Sequence, residues 1–124
     1  MEYMKIAITS YGEDLKSKMD KSFGRAKWFI LMDSGTGSFA AHSNKQNVNA
    51  AQGAGIQAAQ NVVNLGAEAL LSGNVGPNAF RVLSAAGVRM FIVQGDKTIE
   101  EAVNEWKEGN LQEITEATIE GHWV

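Results

Sequence analysis

Two glycine-punctuated turns hold the residues best suited to chemistry in this 124-residue chain: Gly53-Ala54-Gly55-Ile56 and Gly73-Asn74-Val75-Gly76-Pro77-Asn78. Each opens a run with helical apolar spacing. The first turn of a helix leaves backbone N–H groups without intrahelical acceptors and carries partial positive charge, and glycine lets a ligand come close to the main chain. The chemistry implied is non-covalent capture of an anion. Asn74 and Asn78 add side-chain amides. Arg25, in the turn Ser22-Phe23-Gly24-Arg25, adds a planar guanidinium that suits oxyanions and sulfide edges better than a lysine point charge. Ser10 completes the candidate set at the end of the first apolar run.

Competing chemistries fit less well. Gly53 to Ala58 spells G-x-G-x-x-A, but a polar stretch precedes it and no acid stands at the ribose-binding distance, which discounts a dinucleotide. The only histidines are His42 and His122. His42 is the candidate metal ligand because it adjoins a predicted loop, whereas His122 reads as incidental. With no cysteine, thiolate zinc sites, cysteine nucleophiles and iron–sulfur clusters on the chain's own thiolates are excluded. A nuclease-type two-metal centre needs clustered carboxylates, yet the first apolar run has none, and Asp14, Asp20, Asp33 and Asp96 are scattered over predicted loops. No nucleophile-elbow motif is present. The expectation is a non-enzyme.

Composition narrows the partners. A net charge of −3 opposes nucleic-acid binding through a basic patch. No apolar run approaches the ~20 residues of a membrane span, and residues 1–10 lack a signal-peptide layout, so the expected location is cytoplasmic.

The elements that must position these turns follow from periodicity. Residues 4–9, 27–33, 38–42, 68–72 and 89–93 read as strands, the second and third joined by the turn Ser34-Gly35-Thr36-Gly37 as an antiparallel hairpin. Helices are expected from Gly53 to Asn64, over 77–86, and after the capping box Thr98-Ile99-Glu100-Glu101 as far as Gly109. Residues 13–25 read as a polar connection, 43–52 as a mobile loop, and the chain from about 111 as an irregular tail. Trp28, Phe29, Phe80, Phe91 and Trp106, with Met4, Met32 and Met90, fall at core spacing. The whole, 1–124, is expected to form one α/β domain: a five-stranded mixed sheet with helices on both faces, ligands sitting at the carboxyl ends of its strands.

Four segments in register carry a resemblance: Phe23-Gly24-Arg25-Ala26, Gly53-Ala54-Gly55-Ile56-Gln57-Ala58-Ala59, Gly76-Pro77-Asn78-Ala79-Phe80 with Leu83 and Ala86-Gly87, and Thr98-Ile99-Glu100-Glu101-Ala102-Val103. The chain resembles the dinitrogenase iron-molybdenum cofactor biosynthesis family from Met4 to Leu111. That resemblance implies a three-layer ribonuclease H-like fold. It further implies a carrier or accessory role toward an anionic metal–sulfide cluster, either iron-molybdenum cofactor-like or the molybdenum–copper sulfide of orange-protein-like members, with cluster-assembly or acceptor proteins as partners. The protein would be a monomer or weak homo-oligomer. Several relatives carry a histidine where this chain has Ser22, and serine is a poor ligand for a soft metal, which shifts the expectation toward outer-sphere capture. The alternatives are a module for a small oxyanionic or phosphorylated metabolite, and a protein-interaction module that docks through residues 43–52 without a ligand.

Overall fold

The computed structural model describes residues 4–45 and 53–117. Strand β1 (Lys5–Ser10) lies at the centre of the sheet, and all but its first residue are buried. A strand covered on both faces reads as a continuous apolar run rather than an alternation, as Ile6-Ala7-Ile8 does. On one side β1 pairs antiparallel with β2 (Trp28–Asp33), which pairs antiparallel with β3 (Phe39–Ser43). On the other it pairs parallel with β4 (Ala69–Ser72), Ile6 opposite Ala69 and Ile8 opposite Leu71. Next to β4, and parallel to it, runs β5 (Arg89–Ile92). The hairpin turn between β2 and β3 is closed by Asp33, whose Oδ1 accepts from the Gly35 and Thr36 amides at 2.8 and 3.2 Å.

Strands β1, β2, β4 and β5 split their side chains between two cores. Ala7, Phe29, Leu70 and Met90 meet Ala58, Ala59 and Val62 of α1 (Ala54–Asn64) and Ala79 and Leu83 of α2 (Pro77–Ala85). Ile6, Ile8, Ile30, Leu71 and Phe91 meet Ile99, Ala102 and Val103 of α3 (Ile99–Lys107). The result is the expected three-layer α/β arrangement, with two of the helices among the described residues on one face and one on the other. Trp106 closes the second core by an edge-on contact with Phe91, ring centroids 6.2 Å apart.

The tail departs from expectation. Residues Gln112–Glu113 form a sixth strand, β6, antiparallel to β5, so the order is β3-β2-β1-β4-β5-β6. Its anchors are tertiary: Arg89 grips Glu113 through both carboxylate oxygens at 2.9 and 2.7 Å, and the Ile114 amide donates to the Met90 carbonyl. Two polar residues make too short a strand to leave an alternation in the sequence. The polar connection between β1 and β2 is also tied down. Tyr11 bonds Lys18, the Met19 amide donates to Lys97, and the Ile99 amide donates to Ser17, bringing the start of α3 against this segment.

Of the loop expected at 43–52, Ser43 ends β3 and Asn44 is fully buried. The remainder, 46–52, lies outside the described residues, as does His122.

Candidate functional site

A cleft of about 350 Å³ opens at the carboxyl end of β1 and β4, where the direction of winding changes. Three walls form it. The turn after the first connection supplies Ser22, Phe23, Gly24 and Arg25; the start of α1 supplies Gly53, Ala54, Gly55 and Ile56; and the start of α2 supplies Gly76, Pro77, Asn78 and Ala79, with Asn74 ahead of it.

The helix entrances are chemically distinctive. Neither α1 nor α2 has a side-chain cap or an acidic residue in its first turn. By contrast α3 has a complete capping box: Thr98 Oγ1 accepts from the Glu101 amide at 3.1 Å, and Glu101 accepts from the Thr98 amide at 2.8 Å. The two helices facing the cleft thus present their first-turn N–H groups and positive dipole ends toward it. Arg25 stands on the third wall, and no carboxylate lines the cleft among the described residues.

The main chain packs tightly behind this surface. A Cβ on Gly24 would lie 3.0 Å from the Gly55 nitrogen and 3.1 Å from its Cα, so the first wall and the α1 entrance touch backbone to backbone. Gly53, the N-cap of α1, has φ +79°, a left-handed conformation that glycine adopts without the steric cost of a Cβ. Gly76 differs: its φ is −73°, and a Cβ there would meet nothing within 4 Å. Neither backbone strain nor packing among the described residues calls for glycine at 76, which lines the cleft.

A polar layer below holds the first wall in place. Asp20, 6% exposed, accepts the Ser22 amide on Oδ1 at 2.9 Å, while its own amide donates to the Thr9 carbonyl. Thr9 Oγ1 donates to the Asp20 carbonyl and lies 3.2 Å from Ser72 Oγ, which reaches the Asn74 carbonyl. From the other side, the buried Asn44 amide donates to the Gly24 and Ala26 carbonyls at 3.2 and 2.8 Å. The turn carrying Arg25 is therefore clamped at both ends.

Burial pushes the Asp20 carboxyl above its ordinary value, against the opposing pull of the Ser22 amide and the Lys27 charge. An acid with a raised folded pKa binds its proton more tightly in the folded state, so its charge costs stability at neutral pH, and that cost is relieved as pH falls through the raised value. Asp20→Asn retains the acceptor for Ser22 and removes the buried charge. Its melting temperature at pH 7 is expected to exceed that of the parent, with the gap closing on acidification; thermal melts from pH 7 down to 4 measure both.

Of the residues anticipated from sequence, Ser22 to Arg25, Gly53 to Ile56, Asn74, Gly76 and Asn78 come together in the cleft. Three do not. Ser10 is fully buried and closes its own turn, donating to the Gly12 carbonyl at 2.7 Å and accepting from its amide. Gly73 packs on the Lys21 backbone. His42, opposite Phe29 in the sheet, borders a separate hollow with Asn61 and Asn64. Phe23, 2% exposed, gives its ring to the core against Phe29. Sequence reasoning missed Asp20 and Asn44. The first had a local signal, since Asp-x-Ser suits an Asx turn; Asn44, within a polar run, had none.

Comparison with known proteins places this architecture. The family model for dinitrogenase iron-molybdenum cofactor matches residues 4–109. The apo form of the orange protein from Desulfovibrio gigas superposes with a TM-score of 0.91 at 33% identity, covering 95% of this chain and 98% of that one. A protein from Thermotoga described as a putative NifB protein of the DUF35 family gives 0.82 at 38% identity over 95% and 99% of the two chains. An uncharacterized protein of Methanocaldococcus jannaschii is 24% identical over 100 residues, 79% of this chain and 84% of the relative. Matched along strands β1 to β5, its three described helices and all three walls of the cleft, the chain belongs to the dinitrogenase iron-molybdenum cofactor family.

Proposed function

We propose that this protein is a non-catalytic carrier that holds an anionic metal–sulfide cluster, iron-molybdenum cofactor-like or molybdenum–copper, for assembly on or delivery to a partner protein. The observation that carries the reading is the cleft between two uncapped helix entrances. The residues that line it bring main-chain amides of the two helix entrances, the side chains of Asn74 and Asn78, the Ser22 hydroxyl and the Arg25 guanidinium as donors available to a guest. Such a set suits a guest that brings its own complete ligand shell and presents acceptor atoms, because no cysteine exists to replace a bridging or terminal sulfide. The open space at Gly76 gives that guest room to approach the main chain. The family, and the likeness to the orange protein and to the Thermotoga protein, support a cluster of this kind as the cargo.

The test is reconstitution. Protein incubated with tetrathiomolybdate and cuprous ion, then desalted, is expected to retain colour and molybdenum near one cluster per chain. Gly76→Val, which fills the cleft where a Cβ meets no neighbour, is expected to melt within a few degrees of the parent and to lose most of the retained metal. Colourless parent protein after desalting, or undiminished retention by the variant, would refute the reading.

A further inference from the structure

One residue of the cleft runs against its polar character. Ile56, in the first turn of α1, is 38% exposed, one of three large hydrophobic side chains among the described residues that stay open to solvent. The other two, Tyr11 and Phe39, do not line the cleft. Ala58, Ala59 and Val62 already give α1 its buried contacts, so the exposed part of Ile56 does something other than fill the core. It lies beside the same first-turn amides that would bind the guest, with the Pro77 ring and Ala79 also on the cleft wall.

Apolar carbon next to hydrogen-bond donors discriminates between anions. A compact oxyanion has high charge density and keeps its water; placing it against isoleucine strips part of that shell with no return. Sulfide is larger, more polarizable and less strongly hydrated, so a sulfide-faced anion sheds water at lower cost and gains dispersion contacts with the carbon wall.

Resting on the anion-binding reading of the cleft, we propose that Ile56 is a specificity-determining residue, which selects sulfide-faced anions over oxo-faced anions of the same charge and shape.

Tetrathiomolybdate and molybdate are matched tetrahedral dianions that differ in the atoms they present, and the affinity of each can be measured by calorimetry on the parent, on Ile56→Thr and on Ile56→Leu. The parent is expected to prefer tetrathiomolybdate. Ile56→Thr keeps the branched shape and replaces carbon with a hydroxyl; it is expected to narrow the preference about tenfold through weaker tetrathiomolybdate binding, the loss of a few tens of Å² of apolar contact. Its molybdate affinity is expected to rise slightly, because the hydroxyl relieves the desolvation that isoleucine imposes on an oxyanion, and Ile56→Leu should keep the parental ratio. An unaltered ratio in Ile56→Thr, with both anions still bound, overturns this inference alone. Binding of neither anion by the parent overturns the cleft reading and this inference with it. Parallel melting curves register any loss of fold, and Ile56→Leu separates lost carbon surface from general disturbance of the helix entrance.

Discussion

Gly73→Ala is expected to destabilise this protein by about 3 kcal/mol, at the upper end of overpacking costs, although it adds a single methyl group to a loop. The added carbon would sit 2.7 Å from both Cα and Cβ of Lys21 and 2.8 Å from its carbonyl oxygen. Those atoms belong to the main chain or its first branch, so rotating a flexible side chain cannot relieve the clash. The segments must separate, and the Lys21 segment is the root of the wall that carries Ser22 to Arg25, tied through Asp20 to β1. For a domain of this size, that loss corresponds to a fall in melting temperature of roughly 10–15 °C. Thermal unfolding of Gly73→Ala beside Gly76→Ala measures it, since the second substitution adds the same methyl group three residues along, into open space. Equal melting temperatures for the two would refute the packing argument.

Asn44→Ala comes next in size, at about 2–4 kcal/mol. The Asn44 side chain is fully buried and serves the Gly24 and Ala26 carbonyls. Truncation leaves the buried Ala26 carbonyl and the partly buried Gly24 carbonyl short of a donor, and a buried group so deprived costs about 1–3 kcal/mol. Asn44→Asp is expected to be at least as harmful, because it removes the amide donor and buries a carboxylate against two carbonyl oxygens. Urea titration gives the stability change, and hydrogen exchange at the Gly24 to Ala26 amides reports whether the turn loosens locally. Since this turn carries Arg25, cluster retention by Asn44→Ala should fall even at temperatures where the variant remains folded. A variant as stable and as protected from exchange as the parent would show that Asn44 is not the clamp.

Much of the architecture was legible because it rests on local signals. Short apolar runs identified β1 and β4 as strands, Ser34 to Gly37 announced the hairpin, and Pro77 and Thr98 marked two helix starts within a residue. The glycine turns were legible for the same reason, and most of the residues singled out around them do meet in one cleft. β6 escaped notice because its stability comes from β5 and the Arg89–Glu113 pair rather than from its own sequence. The start of the loop expected at 43–52 was misread because a polar residue such as Asn44 signals exposure by type, while its burial is supported by carbonyls some twenty positions earlier.

What the sequence determined alone was the set of donors: which turns hold glycine, which helix entrances lack a capping side chain, and that no cysteine is available to bind metal directly. Tertiary structure decided which of those donors share a cleft. Ser10 and Gly73 read like the others, but one closes its own turn and the other is pressed against Lys21, while Gly24 and Gly55 touch across about thirty residues of chain. The physical reason is range. Helix starts and turns follow from interactions within a few residues, whereas the separation of two backbones across a sheet edge is fixed by strand order, register and the packing of side chains distant in sequence.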